Sequence, residues 1–492
     1  MSLTNTGEIE LGDPIGASHG ADPVGPHLSR AFWWLGVAGS TILLLYMLNT
    51  ASFLPVAVLG CAGGIVILLV ALRYTTTHRE ALPAALAIIV ILIDSSFLEG
   101  YLRAGLHYGL MALFCGASIP LAWRSSQHYR GGFASYWMYF LWALITVSYS
   151  VEPSYSIARL AAASLTFCAV STVAFQVHDE SDLTAIIEPY LIACGSLVTL
   201  VALTGLVLPH SVTWQVPDAF TDNQSIERFR GPLGNPNSVG GLTFMTVAPT
   251  LAFWGSFRRP QKIFFGVNVV LAIIEDLLAE SRAPLVALVF GGVVYALWKY
   301  RRRGIFVLLG GAFVTIALLP LFGRTIVDLT TRGNLTTLTG RTDIWQFVVG
   351  QIESNPLLGY GYEVAGAIFN SRYFPIWYGP WDQGAQSSLH NGYFDRAISV
   401  GVPAALFWLF FALRPWIFAL YQTDDPWNFK PILFLVVLPA LIYNLVESVL
   451  SDFLGGPGLL YGVVWAIAER YRLIKLARCE VSITTDSPPL TS

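Results

Sequence analysis

Long apolar stretches with almost no charge constrain this chain more than any other feature. The run from Phe53 to Leu72 contains no Asp, Glu, Lys or Arg, and a helix of about 20 such residues crosses the hydrocarbon core of a bilayer. Lipid offers the backbone no hydrogen-bond partners, so such a run must satisfy its own amides and carbonyls as a helix. Of 492 residues only 12% are charged and 54% are apolar, whereas soluble domains carry roughly 25% charged residues. A soluble globule is excluded. The expected fold class is an all-α polytopic membrane protein.

Apolar spans fall at 31–49, 53–72, 81–98, 105–123, 133–149, 155–175, 186–208, 238–254, 261–280, 283–299, 304–322, 400–421, 431–450 and 457–472, giving fourteen transmembrane helices. Asp94 interrupts the third span and Glu275 with Asp276 the ninth, so a count of twelve or thirteen also fits. Residues 1–30 are acidic and rich in Gly and Pro, without the basic start and cleavage site of a signal peptide, and are expected to be a disordered cytoplasmic tail. The expected division is therefore this tail, helices 1 to 11 over 31–322, a large external loop at 323–399, helices 12 to 14 over 400–472, and a cytoplasmic tail at 473–492. Cys61, Cys115, Cys168 and Cys194 lie in apolar runs and Cys479 in the tail, with no spacing that suggests disulfides or zinc.

Basic residues orient the spans, because cytoplasmic loops retain Lys and Arg. Alternating from a cytoplasmic N-terminus puts all four lysines inside, Lys262, Lys299, Lys430 and Lys475, together with Arg73, Arg79, Arg301 to Arg303, Arg414 and Arg472. Outside fall Arg103, Arg228, Arg230, Arg282, Arg324, Arg332, Arg341, Arg372 and Arg396, with Arg159 at an outer helix end. Small-number sampling explains an arginine-only exterior; so does a need for planar, bidentate recognition of phosphate or carboxylate. The same topology puts Asp94, Glu99, Glu275, Asp276 and Glu447 near external helix ends, as interfacial caps, as partners of Arg159 and Arg282, or as the lining of a polar cavity. The net charge of -3 implies no nucleic-acid partner.

Only 209–237 and 323–399 are long connections, and both are external. Within the second, Thr342 or Asp343 can cap a helix whose apolar face is Ile344, Trp345, Phe347, Val348 and Ile352, and Asn355-Pro356 ends it. Such a helix is expected to lie on the membrane surface as a lid. Gly359, Gly361 and Gly366 follow, then Leu389-His390-Asn391-Gly392-Tyr393, with the only histidine of the loop. Soluble nucleophile signatures, Walker loops and HExxH pairs are absent, and Asp424-Asp425 reads as a solvated cytoplasmic turn.

Five short elements, in order, carry a resemblance. Arg230-Gly231-Pro232-Leu233-Gly234-Asn235-Pro236-Asn237, Ser281-Arg282, Gly340-Arg341-Thr342-Asp343-Ile344-Trp345, Asn355 to Gly361, and His390-Asn391-Gly392-Tyr393 with Gly401 resemble the bacterial O-antigen ligase and polymerase superfamily. The resemblance covers roughly 225 to 410 and implies a glycosyltransferase on the periplasmic face of the inner membrane, with an undecaprenyl-diphosphate-linked glycan as donor. It implies His390, Arg282 and Arg230 as catalytic residues and Arg341 in support. Arg228, Arg159, Asn237, Asn391, Tyr393 and Glu447 complete the expected substrate-binding set.

The chemistry needs no cofactor. An acceptor hydroxyl attacks the anomeric carbon, the lipid diphosphate leaves with its charge, and arginine forks stabilise that charge without a metal. His390 either takes the acceptor proton or orients the diphosphate, and Glu447 or Glu275 is an alternative base. In-line displacement predicts inversion. The favoured job is polymerisation of exopolysaccharide or O-antigen repeats, with membrane lipid, an acceptor glycan and a chain-length regulator as expected partners. The alternative is a ligase moving the finished glycan to lipid A core in lipopolysaccharide synthesis. A flippase would show internal repeats and interrupted helices, which the sequence lacks.

Overall fold

The structure, a computed structural model, describes residues 81–93, 109–116, 130–174, 177, 180–215, 227–300, 341–373, 389–422, 429–450 and 455–485. The expected tail at 1–30, the helices at 31–49, 53–72 and 304–322, most of 105–123, and Asp94 and Glu99 lie outside those residues. Helices α1 to α4 are Leu82–Ile93, Arg130–Val147, Pro153–Ala174 and Glu180–Val207. A short α5, His210–Thr213, leads into β1, Trp214–Gln215, which pairs antiparallel with β2, Arg228–Phe229. Then come α6 Pro236–Ala252, α7 Arg259–Ala279, α8 Arg282–Tyr300, α9 Arg341–Ser354, α10 Ala365–Tyr373, α11 Gly392–Val400 and α12 Val402–Tyr421. The last are α13 Phe429–Ile432, α14 Leu438–Tyr443 and α15 Gly456–Thr485.

Among the described residues, Pro153–Ala174, Ser181–Val207, Arg282–Tyr300 and Val402–Tyr421 are long and apolar enough to cross a membrane. Leu206, Ile263, Val286 and Val289 stand exposed on helix flanks, an arrangement that suits contact with lipid tails, which are as apolar as leucine. The chain is an all-α, multi-pass membrane protein.

Hydrogen bonds tie the helix ends together at two opposite poles. At one, the Arg470 guanidinium donates to the Ala174 carbonyl at 2.6 Å, and the fully buried Glu469 accepts from Arg472 at 2.7 Å and from Arg414. At the other, the Tyr149 hydroxyl donates to the Leu358 carbonyl at 2.8 Å, Trp142 to the Val400 carbonyl at 3.0 Å, and Ser156 to the Tyr362 carbonyl at 2.7 Å. Long loops therefore meet the helix ends at a single pole. α15 extends past 472, where the span ends in hydropathy, because Leu473, Lys475, Leu476 and Arg478 keep strong helix propensity after the apolar run stops.

The expected single helix over 431–450 is broken. Between α13 and α14, Leu433–Val437 is a π-helical stretch, with the Leu438 amide reaching the Leu433 carbonyl five residues back. Pro439 has no amide to give, and a π-turn beside it absorbs the lost ladder bond. After α14 the Asn444 side chain accepts from the amides of Val449 and Leu450 at 3.1 and 3.0 Å. The backbone folds into a turn there, and Glu447 stands on that turn and not inside an apolar helix.

The segment 341–400 builds a second, small core of Val348, Val364, Ile368, Leu389 and Ile398. Helix α9 begins at Arg341, one residue before the expected caps, and the Trp345 indole donates to the Leu389 carbonyl at 3.2 Å. Its apolar face is covered by α10 and α11, with Ile344, Phe347 and Ile352 packed on that core. The surface-lid expectation is thereby corrected: the face that would enter lipid is packed on protein, with Val348 buried and Ile344, Trp345, Phe347 and Ile352 partly so. Gly359 and Gly401, both in the left-handed region at φ 68° and 83°, let the loop and the start of α12 touch backbone to backbone. A Cβ on Gly401 would fall 2.2 Å from the Leu357 carbonyl oxygen.

Candidate functional site

The His-Asn-Gly-Tyr element is a docking device. Asn391 caps α11, its side chain accepting from the amides of Tyr393 and Phe394, both at 3.1 Å. Gly392 lies so close to Asn444 that a Cβ would fall 2.1 Å from its Oδ1, and the Gly392 amide donates to the Asn444 carbonyl at 2.9 Å. The Tyr393 hydroxyl donates to the Leu441 carbonyl at 3.0 Å. Asp395 reaches back to accept from the Leu389 amide at 3.0 Å, and its other oxygen meets the Ser448 hydroxyl. The whole element is seated on the turn that carries Glu447.

Between those clasps His390 has φ 52°, a left-handed backbone that costs a non-glycine residue about 1 to 2 kcal/mol and is kept only where its surroundings impose it. Its Nδ1 lies 2.9 Å from Glu447 Oε2. Glu447 Oε1 accepts from Asn237 Nδ2 at 3.0 Å, and Asn237 Oδ1 accepts from the Arg228 guanidinium at 3.1 Å. Arg228 in turn donates through Nε to the Ala279 carbonyl at 2.9 Å, at the end of α7. Thus β2, α6, the broken helix and the His390 segment converge, joining four of the expected site residues. His390 and Glu447 keep 26% and 13% of their side chains exposed, so a substrate can reach them.

The other expected residues have different settings. Arg282, the first residue of α8, is exposed at the same pole, three positions after Ala279. Arg230 donates to the carbonyls of Val212 and Ser211, both at 3.1 Å, bracing the strand pair, and partial burial holds its proton affinity below the ordinary arginine value. Asn391 and Tyr393 spend the polar groups described above on the backbone. The Arg341 side chain lies outside the described residues.

Arg159 pairs with an acid that sequence reading missed. Glu363, at φ 61° in the glycine loop, accepts from Arg159 at 3.1 Å and forms an ion pair with Arg396 at 2.6 Å. Arg396 also donates to the Tyr139 hydroxyl at 3.1 Å, with its guanidinium carbon 5.6 Å from the Tyr362 ring centroid and 5.7 Å from that of Trp408. Burial works against the Glu363 charge, but Arg396 and Arg159 outweigh it and hold the carboxyl below its ordinary range. Asp395 goes the other way: burial, supported by the charge of Glu363, raises it to about 7 against the bond from Ser448. The one available signal for Glu363 was its place as the acid that follows Gly359-Tyr360-Gly361-Tyr362. Nothing in the sequence pairs it with residues this distant.

Glu275 and Asp276, expected as caps or partners, are buried near the end of α7, and none of their carboxyl oxygens has a hydrogen-bond partner among the described residues. Gly240 packs against Asp276 and Ser281, so α6 and the α7–α8 junction are in close contact there.

A family model described as O-antigen ligase matches residues 267–409. The match takes in Arg282, Arg341 and the His390 element, while Arg228, Asn237 and Glu447 come from outside it. No curated protein matches the chain.

Proposed function

We propose that this chain, whose residues 267–409 match the O-antigen ligase family model, polymerises undecaprenyl-diphosphate-linked oligosaccharide repeats of an exopolysaccharide or O-antigen on the periplasmic face of the inner membrane. The observation that carries the reading is the His390–Glu447 contact of 2.9 Å on a strained, clasped backbone. A carboxylate on Nδ1 fixes the tautomer, so the proton-accepting lone pair sits on Nε2.

In the proposed step the acceptor hydroxyl oxygen bonds to the anomeric carbon of the donor while its proton passes to His390 Nε2. The bond from that carbon to the diphosphate oxygen breaks, its electron pair leaving with the lipid diphosphate, and the configuration inverts. Glu447 stabilises the imidazolium that forms. Arg282 is assigned to the growing charge on the leaving group, a role suited to a planar fork, with Arg341 in support as the family resemblance implies. The reading assigns this work to arginines and to no divalent cation.

Purified protein given only lipid-linked repeat should return a ladder of longer lipid-linked chains. His390→Gln should lower that turnover by about 10²- to 10⁴-fold, the usual worth of a positioned acid or base. A protein that leaves the repeat untouched until lipid A core is supplied would be the ligase instead, and full activity in His390→Gln would remove the histidine from the mechanism.

A further inference from the structure

We propose that Asn237 is a positioning residue which, held in one orientation by Arg228, keeps Glu447 ionised and aimed at His390. The inference rests on the function proposed above and concerns a residue that sequence reading placed against substrate.

The donor and acceptor roles can be assigned from Arg228 as far as Glu447 Oε1. Arginine has donors only, so the Asn237 atom 3.1 Å from the Arg228 guanidinium is the carbonyl oxygen Oδ1. The amide nitrogen then faces Glu447 Oε1, 3.0 Å away. An amide NH₂ only donates, so Oε1 must accept, and this favours the ionised carboxylate. With Oε1 so engaged, Oε2 is the oxygen turned to His390 Nδ1, and an ionised carboxylate there requires the proton on Nδ1. A cation that does not lose its proton thus sets the polarity of every bond as far as Glu447 Oε1, and an ionised carboxylate there carries it on to the imidazole.

Asn237 is also fixed from its backbone side. Asn235 caps α6 by accepting from the Asn237 amide at 2.9 Å, and Pro236 presets the first helical turn. Arg228 is held at its far side by the Ala279 carbonyl at 2.9 Å, with the carboxyl of Asp276 within its electrostatic reach. The elements that meet here carry the charged groups Arg228 on β2 and Arg230 just after it, Glu275 and Asp276 on α7, Glu280 and Arg282 at the turn into α8, and Asp395 with Arg396 on α11.

The test is Asn237→Asp, which keeps the shape and replaces the donor facing Glu447 with an acceptor, alongside Asn237→Ala. Two carboxylates side by side raise the proton affinity of Glu447 and of the neighbouring imidazole together. The acid limb of the kcat/KM profile should therefore move upward by about one pH unit in Asn237→Asp, with turnover at neutral pH down about tenfold or more and KM for the lipid-linked donor unchanged. A raised KM with an unmoved acid limb would make Asn237 a substrate contact and overturn the inference, as would wild-type behaviour. If the substituted proteins do not fold, ¹⁵N spectra of the histidines, with His390 identified by its loss in His390→Gln, decide on the native chain. The Nδ1-protonated tautomer is expected at neutral pH, and the Nε2-protonated one would overturn the inference. Failure here with His390→Gln inactive leaves the proposed function standing, whereas a fully active His390→Gln removes the histidine from the mechanism and this inference with it.

Discussion

His390 with Glu447, and Glu363 with Arg159 and Arg396, both set a carboxyl group against side-chain nitrogens at one pole of the bundle, yet they differ in what their members can release. In the Glu363 cluster the cations are guanidiniums, which keep their protons, and Arg396 is 2% exposed. Such a group can hold two segments in register but cannot transfer a proton. The His390 pair joins two titratable side chains, with His390 26% exposed on a left-handed backbone. Burial and permanent charge mark a clamp, and titratable groups on a clasped, reachable turn mark a working site.

The largest effect that could break this distinction is expected at the clamp. Glu363→Gln takes from the buried Arg396 the carboxylate it touches, which should cost about 3 to 5 kcal/mol and lower the thermal midpoint in detergent sharply, with activity lost only as the fold is lost. A folded, heat-stable Glu363→Gln that is nonetheless inactive would move the cluster into the mechanism. Gly392→Ala comes next. It forces a Cβ against Asn444, whose side chain holds the turn bearing Glu447, so a loss of about 1 to 3 kcal/mol in stability should come with reduced turnover at temperatures where the protein is still folded. Unchanged turnover in the folded variant would show that the clasp does not position the pair.

Asp395→Asn gives the smallest effect and the sharpest pH signature. The folded-state value of about 7 lies above the ordinary aspartate value, so the native state holds this proton more tightly than the unfolded chain does. That contribution is fully present below about pH 4 and is lost as pH rises through about 7. Native protein should therefore lose stability between these limits, and Asp395→Asn should flatten the slope, being more stable than native protein at pH 8 and nearly equal to it at pH 4. Parallel stability curves for the two proteins would reject the assignment.

The helices were legible because hydropathy over about 20 residues is a local signal, and α3, α6, α7, α8 and α12 begin and end close to where the apolar runs do. The His390 element was legible as a motif, though Asn391, Gly392 and Tyr393 serve to seat it. What escaped was set by partners far along the chain: Arg159 meets Glu363 across 204 positions, and His390 meets Glu447 across 57. Periodicity carries no information about such pairs. The break before Glu447 was hidden for a different reason, since residues 431–450 are apolar enough to read as one span and the Asn444 side chain ends it by accepting from amides five and six residues further on.

The central claim is that Glu447 acts with His390 as one proton-handling unit, and Glu447→Gln tests it most directly because glutamine keeps the shape and removes the charge. Turnover of lipid-linked donor and the thermal midpoint should be measured on the same preparation. Turnover is expected to fall by about 10²-fold or more while the midpoint stays within a few degrees of the native protein. Near-native turnover in a folded Glu447→Gln would contradict the claim.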